Sequence, residues 1–250
     1  MGSNFSSERK YKVDIVMCID ATASMGSLLD KVKENALNFY SDLTGAMEEK
    51  GKHIDELRVR VIAFRDYLAD GEHAMQATDF YSLPRDAAEF EHLVKSIQPR
   101  GGGDDPEDGL EALAYAINSK WTTRATSSDK LRHIIVVWSD EGTHPLGFGG
   151  NPENGRYLKM SYDKVIENAK RYPTKMARSF DELTEWWGDE SEPGRMDEEA
   201  KRLLIYAPEK AYWGTISDSW EKVLHFPSIA GEGLREVEYE EILDAIRNSI

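Results

Sequence analysis

The chain is poor in the features that mark secreted and membrane-spanning proteins. Its single cysteine, Cys18, cannot form an internal disulfide, which is typical of a protein in a reducing compartment. No apolar run approaches the roughly 20 residues that a membrane-spanning helix needs. Residues 1–10 contain no apolar stretch of the kind found in secretory signals. We therefore expect a cytoplasmic location.

Positive charge is also scarce, because 31 Lys and Arg residues face 46 Asp and Glu residues and leave a net charge of −15. Such a surface repels nucleic acids and anionic membranes, so we expect neither as a partner. The 250 residues suffice for a large core. With no internal repeat and no long linker, we predict a single domain over residues 12–250. It follows a flexible segment at 1–11 and contains an elaborated region at 143–200.

Several common site motifs are missing. The three glycines at 101–103 are not followed by the Gly-Lys-Ser/Thr ending of a phosphate-binding loop. The six histidines show no zinc-binding spacing. His144, four residues after Asp140, is interpreted as a residue of a surface loop, with a place in the lining of a site at that edge as the alternative. Trp186 and Trp187 are interpreted as a helix end packed on the body of the protein, with an exposed partner surface as the alternative.

What is present is an alternation of apolar strands and amphipathic helices. Continuous apolar runs at 13–19 and 131–138 predict two buried strands, and helix-like segments separate them from weaker strands. One long helix is predicted over 24–50 and another over 107–121, entered at Pro106. The pattern predicts an α/β fold with a doubly wound, Rossmann-like and largely parallel six-stranded sheet. The weaker strands lie at 57–64, 78–83, 203–206 and 222–226.

Oxygen-bearing side chains follow both buried strands. Asp20, Thr22 and Ser24 come directly after the first strand, and Asp140 follows the strand at 131–138. In such sheets, ligands bind beyond the carboxyl ends of the strands, so these groups are expected at one edge. Carboxylate and hydroxyl oxygens suit a hard divalent cation such as Mg²⁺. The alternative for the first group is N-capping of the following helix, which uses the same residue types.

Three segments resemble the metal-ion-dependent adhesion site (MIDAS) of von Willebrand factor type A (vWA) domains. They are Asp-x-Thr-x-Ser at 20–24, Gly-Gly-Gly-Asp-x-Pro-Glu at 101–107, and the strand that leads to Asp140. The second segment is most similar to an intracellular branch linked to signalling and to bacterial stress systems. The resemblance implies a vWA fold and a site for Mg²⁺, with Mn²⁺ and Ca²⁺ as alternatives. The implied metal ligands are Asp20, Thr22, Ser24, Asp104 and Asp140.

Two positions depart from the family pattern. Asp104 stands where many members carry threonine, and Ala23 stands where glycine is frequent. An extra carboxylate neutralises the ion further. We therefore expect tighter metal binding in the absence of a partner, and weaker attraction between the ion and an acidic residue of a partner.

The resemblance favours a protein-binding module in which an acidic residue of the partner completes the metal shell. The alternative is a Mg²⁺-dependent hydrolase or phosphatase on the same sheet. Position 22 is threonine where a phosphoryl-transfer site would want a second acid, and no acid–base pair is evident. A third reading, a structural scaffold with a degenerate metal loop, conflicts with three intact segments. We therefore predict a binding module and no enzymatic activity.

Overall fold

The computed structural model describes residues 9–36, 38–102, 106–124, 126, 130–147, 177, 179–188 and 196–250. Of the flexible start predicted at residues 1–11, residues 1–8 lie outside these ranges, as does the central part of the elaborated region, residues 148–176. Residues 9–11 lie in the first strand. Within the ranges, no helix has the length and apolar composition needed to cross a bilayer.

The described strands are β1 (Arg9–Asp20), β2 (Lys52–Phe64), β3 (Met75–Ala77), β4 (Tyr81–Leu83), β5 (Lys130–Trp138), β6 (Lys201–Ala207) and β7 (Val223–Pro227). They form one seven-stranded sheet in the order β3-β2-β1-β5-β6-β7, with β4 also paired to β2. The pairings from β2 through β1, β5 and β6 to β7 are parallel, whereas β3 and β4 run antiparallel to β2. The predicted largely parallel sheet is confirmed, and β3 is an additional short strand.

The α-helices in the described ranges are α1 (Gly26–Asn35), α2 (Phe39–Glu48), α3 (Tyr67–Asp70), α4 (Ala87–Ser96), α5 (Gly109–Ile117), α6 (Phe180–Gly188), α7 (Trp213–Ser219) and α8 (Tyr239–Ser249). The prediction of one helix over 24–50 is wrong, because that segment divides into α1 and α2. At the division, the side chain of Asn35 bonds the Lys31 carbonyl, and the Asn38 N–H bonds the Asn35 carbonyl in an i→i−3 turn. These bonds replace the regular helix ladder.

The sheet separates two apolar cores, as its alternating side chains require. Along β1, Val13 and Ile15 enter the core on one face, while Val16 and Cys18 enter the core on the other. Helices α1, α2, α4 and α8 cover the first face, and α5, α6 and α7 cover the second. Trp186 and Trp187 are buried in the second core, so the prediction of a packed helix end is confirmed.

Strand β1 lies between β2 and β5, and the chain winds outward from it in both directions. The boundary between β1 and β5 is therefore the topological switch point, where a crevice opens beyond the strand ends. The register pairs Ile19 with Trp138 at this boundary. The next residues, Asp20 and Ser139, are thus delivered side by side to the crevice.

Candidate metal centre

The carboxylate of Asp20 organises the loop that follows β1. Its Oδ1 accepts hydrogen bonds from the Thr22 N–H at 2.9 Å and from the Thr22 hydroxyl at 2.6 Å. The same hydroxyl lies 3.3 Å from Oγ of Ser24. Thr22 occupies the N-cap position of the 3₁₀ turn Ala23–Met25, but its side chain makes no capping hydrogen bond. The Thr22 hydroxyl is therefore directed to a carboxylate and not to the helix N–H groups.

The residues after β5 close this network from the other side. The Ser24 hydroxyl donates to Oδ1 of Asp140 at 3.1 Å, and the Ser139 hydroxyl donates to Oδ2 of Asp20 at 2.9 Å. The remaining Asp140 oxygen accepts the Gly233 N–H at 2.9 Å. Four predicted site residues, Asp20, Thr22, Ser24 and Asp140, are thus joined in one continuous set of polar contacts. Ser139 was not predicted; the signal for it is the β1–β5 register, which requires knowledge of the strand pairing.

The second loop approaches the first through Gly102. This glycine has φ +78°, and a Cβ built on it would lie 3.0 Å from Cγ2 of Thr22 and 3.0 Å from Oε1 of Glu107. A side chain at position 102 would be strained by the backbone and would press on both neighbours. The predicted ligand Asp104 lies outside the described residues, so its position relative to the other four ligands stays a prediction.

Glu107 is a buried member of the site that the sequence interpretation assigned to a helix. That assignment is wrong, because α5 begins at Gly109 and the Glu107 backbone instead forms a bridge with Thr143. The Glu107 carbonyl accepts the His144 N–H at 2.8 Å. The side chain is only 4% exposed, and its Oε2 has no hydrogen-bond partner. Burial, followed by the charges of Asp20 and Asp66, raises the pKa of Glu107 to about 9.

The acids of the site outnumber the nearby positive charges, of which Arg65 acts on Asp20 and Glu107 through space. Burial raises the pKa of Asp20 to about 7, against the lowering effect of its bonds from Thr22. Burial also raises the pKa of Asp140. Among the described residues, no basic side chain forms a salt bridge with either carboxylate, and Lys210 pairs with Glu141 instead. The site is a buried group of acids that a cation would neutralise.

The donor set fits a hard divalent cation. It offers only oxygens, two from hydroxyls and the others from carboxylates, which suits Mg²⁺, Mn²⁺ or Ca²⁺ and not zinc. The orphaned Oε2 of Glu107 adds a further carboxyl oxygen close to the first loop. In the described ranges, no three His, Cys, Asp or Glu side chains cluster as a metal site by themselves. The hydroxyls of Thr22 and Ser24 would therefore have to complete the shell.

Arg65 fixes the loops around the site. Its Nε donates to the carbonyls of Ala21 and Arg100, both at 2.9 Å, and its Nη1 and Nη2 donate to the carbonyls of His73 and Gln98 at 2.9 and 2.8 Å. One buried guanidinium thus joins the loop after β1, the turn after α3 and the segment after α4. These contacts fix the position of the first loop relative to the other two segments.

His144 and Asp66 lie beneath the second loop. The interpretation of His144 as a surface residue is wrong, because its side chain is buried and its Nε2 lies 4.0 Å from Oδ2 of Asp66. Burial lowers the pKa of His144, and Asp66 opposes this effect. Asp66 also caps α3 by accepting the Leu68 N–H at 2.5 Å and the Ala69 N–H at 3.3 Å. Both residues support the loops that carry the site.

No protein-family model and no curated protein matches this chain. Solved structures that are similar to this chain include the pilus adhesin SpaC from Lactobacillus rhamnosus GG, with a TM-score of 0.49 and 11% sequence identity. That similarity covers 95% of this chain and 30% of the SpaC chain. The vWF domain of the type V pili tip protein Mfa5 from Porphyromonas gingivalis has a TM-score of 0.45 and 14% identity, with 96% of both chains covered. A von Willebrand factor type A structure from Catenulispora acidiphila has a TM-score of 0.43 and 11% identity, covering 96% of this chain and 43% of that chain.

The chain thus spans less than half the length of two of these three structures. With identities below 25% and TM-scores below 0.5, these similarities add nothing to what the side-chain geometry says about the site. The doubly wound fold rests on the observed strand order, and the character of the site rests on its oxygen network.

Proposed function

We propose that this protein is a metal-ion-dependent protein-binding module of the vWA type, which holds Mg²⁺ through Asp20, Thr22, Ser24, Asp104 and Asp140. Mn²⁺ and Ca²⁺ are the alternative ions. The observation that carries the proposal is the contact between the first and third segments, where Ser24 Oγ donates to Asp140 Oδ1 at 3.1 Å. Two sets of oxygens from opposite sides of the switch point meet there, as a shared ion requires.

When bound, the ion supplies a Lewis-acidic position that a carboxylate of the partner completes. The residues of this chain hold the ligands in place for that role. Asp20 orients the Thr22 hydroxyl through their 2.6 Å hydrogen bond. The Gly233 N–H holds Oδ2 of Asp140, the oxygen that Ser24 does not contact. Ser139 holds the other Asp20 oxygen, so each carboxylate is anchored by a donor outside the metal shell.

The cellular setting belongs to the same proposal. The resemblance of the 101–107 loop to an intracellular branch favours a bacterial cytoplasmic protein that acts in a signalling or stress-response assembly. The net charge of −15 favours a partner whose surface around the coordinating acid is neutral or basic. Capture of that partner should therefore weaken as the salt concentration rises.

A Mg²⁺-dependent hydrolase is the second candidate, and Glu107 is the observation that favours it. Strongly shifted pKa values cluster at catalytic sites, and that of Glu107 is raised to about 9 beside the proposed ligands. A carboxyl that stays protonated at neutral pH could serve as a general acid. Its 4% exposure argues for the binding module, because a catalytic acid must reach its substrate.

The two candidates are separated by one pair of measurements. The immobilised protein should retain a protein partner from lysate in Mg²⁺ and release it in chelator, and Ser24→Ala should abolish the capture. Ser41→Ala, which removes an exposed hydroxyl bonded only within α2 and its preceding turn, should leave capture unchanged. Capture that persists in chelator would contradict the module. Turnover of p-nitrophenyl phosphate or ester substrates that requires Mg²⁺ and is lost in Glu107→Gln would establish the hydrolase.

A further inference from the structure

A cavity of about 460 Å³ is lined in part by Arg65, which also bonds the Ala21 carbonyl in the first metal loop. It is bounded by β3, by the 3₁₀ turn Gly71–His73 and by the segment that follows α4. Its volume lies in the range that proteins use to bind small molecules. Polar and basic side chains dominate its lining, namely Arg65, His73, Gln76, Ser96, Gln98 and Arg100.

The lining has the opposite charge to the rest of the protein. Among the described residues it contains two arginines and a histidine and no Asp or Glu, although the chain as a whole carries a net charge of −15. Arg100 and His73 are exposed, and neither makes an ion pair with any described residue. Four other arginines in the described ranges pair with carboxylates, as Arg58 does with Asp14 and Arg124 does with Asp197. The cavity therefore concentrates basic groups that form no ion pair with any described carboxylate.

Arg65 gives this cavity a fixed floor. The guanidinium is only 4% exposed, and all four of its acceptors are neutral backbone carbonyls. A guanidinium has five N–H groups, so both terminal nitrogens keep one hydrogen beyond these bonds. Asp70, Asp20 and Glu107 act on Arg65 through space, but none of them lines the cavity. The Arg65 guanidinium is therefore held rigidly by these bonds, and each of its terminal nitrogens retains an N–H group that the four bonds do not use.

We propose that this cavity is a binding site for a phosphate-bearing small molecule, whose phosphate is held by the exposed Arg100 and His73 while the buried Arg65 adds positive charge from the cavity floor. A guanidinium group forms charge-assisted, geometrically matched hydrogen bonds with phosphate oxygens. Ser96, Gln76 and Gln98 supply neutral polar groups for a hydroxylated remainder of the ligand. Among the described residues the lining has no Phe, Tyr or Trp ring on which a base could stack, so a sugar phosphate fits it better than a nucleotide.

The test is isothermal titration calorimetry of the whole chain with ribose 5-phosphate, inorganic phosphate and ribose. Chelator is present throughout, so that no phosphate binds through a metal ion at the other site. Both phosphate compounds should bind and neutral ribose should not. Arg100→Gln should weaken binding by about tenfold or more, as expected for the loss of a charge-assisted hydrogen bond. Arg85→Gln is the matched control, because Arg85 is exposed, pairs with Asp86 and does not line the cavity.

His73→Gln provides a second variant if Arg100→Gln alters the fold, since His73 also lines the cavity and is exposed. Absence of binding by both phosphate compounds at millimolar concentration would overturn the proposal. Equal affinity in folded Arg100→Gln and wild type would overturn it as well. Asp140→Asn should retain phosphate binding, which makes this result independent of the proposed metal function.

Discussion

The hydroxyl of Ser24 donates a hydrogen bond to Oδ1 of Asp140 at 3.1 Å, although the two residues are separated by 116 positions in the chain. This contact joins the loop after β1 to the loop after β5 across the switch point of the sheet. A bound cation in this position would be shared by two loops that also meet through the Ser139–Asp20 hydrogen bond. Metal binding and the stability of the β1–β5 boundary are thereby linked.

Mg²⁺ is expected to stabilise the folded protein. At a concentration 100 times the Kd, binding to the native state alone contributes about 2.7 kcal/mol, which for a chain of this size is a rise in Tm of roughly 5–10 °C. Asp140→Asn should remove the rise, whereas Asp218→Asn, an exposed acid on α7, should retain it. Differential scanning calorimetry in Mg²⁺ and in chelator measures the difference. An unchanged Tm for wild type with Mg²⁺ would exclude this metal site.

Ser139 is expected to act as a positioning residue for Asp20. Ser139→Ala removes the 2.9 Å bond to Asp20 Oδ2, and loss of such outer contacts typically weakens metal binding by about 10–100-fold. Ser249→Ala is the control, because Ser249 is also buried but bonds the Ala245 carbonyl within α8. Both variants should lose about 1 kcal/mol of stability. Only Ser139→Ala should change the Mg²⁺ affinity measured by calorimetry.

The metal-free protein should lose stability as pH rises from about 4 to about 9. Asp20 and Glu107 have folded pKa values of about 7 and about 9, above their ordinary values of 3.8 and 4.5. Between the ordinary and the raised pKa, the folded state binds more protons than the unfolded state, so unfolding becomes more favourable as pH increases.

Glu107→Gln tests the upper part of this pH window. The substituted side chain cannot ionise, so the loss of stability between pH 7 and pH 9 should diminish. Mg²⁺ should act in the opposite direction, because the ligands bind as carboxylates and affinity rises with pH up to about 7, the raised pKa of Asp20. Urea unfolding at several pH values in chelator measures the effect. A pH profile identical to wild type would show that Glu107 is not the titrating group.

Arg65→Lys is expected to destabilise the loops above the sheet. A lysine keeps the positive charge but lacks the planar guanidinium group, so it cannot donate to the carbonyls of Ala21, Gln98 and His73 at the same time. Carbonyls left without a donor should lower the free energy of unfolding by about 2–4 kcal/mol. Arg85→Lys, at an exposed position, should change it little. The urea midpoint at constant m-value measures the loss, and equal midpoints for both variants would contradict the role of Arg65.

Asp104→Thr is expected to weaken resting Mg²⁺ binding. The substitution removes one negative charge from the predicted shell, so the ion is less neutralised and attracts an acidic partner more strongly. Calorimetry of metal binding and the Mg²⁺-dependent capture assay should therefore move in opposite directions. Unchanged metal affinity would remove Asp104 from the ligand set.

The alternation of apolar runs and helical patterns was sufficient to predict the doubly wound sheet and four residues that meet at its switch point. The runs at 13–19 and 131–138 are continuous because both faces of β1 and β5 are covered, and this local property is visible in sequence. Residues that directly follow such strands must lie at one edge. Asp20 and Asp140 could be assigned to it for that reason alone.

Other features depended on contacts between distant segments. Glu107 leaves the predicted helix because its backbone pairs with Thr143, and His144 is buried beside Asp66 for the same reason. Helix propensity is a local preference that such backbone pairing overrides.

The sequence alone determined which residues end the two central strands and therefore which oxygen ligands share an edge. Tertiary structure decided the register that brings Ser139 to Asp20 and the approach of Gly233 to Asp140. It also decided the burial of Arg65 between the proposed metal loops and the cationic cavity. The physical reason is that side-chain alternation is encoded within each strand, whereas register and loop contacts are set by the packing of segments far apart in the chain.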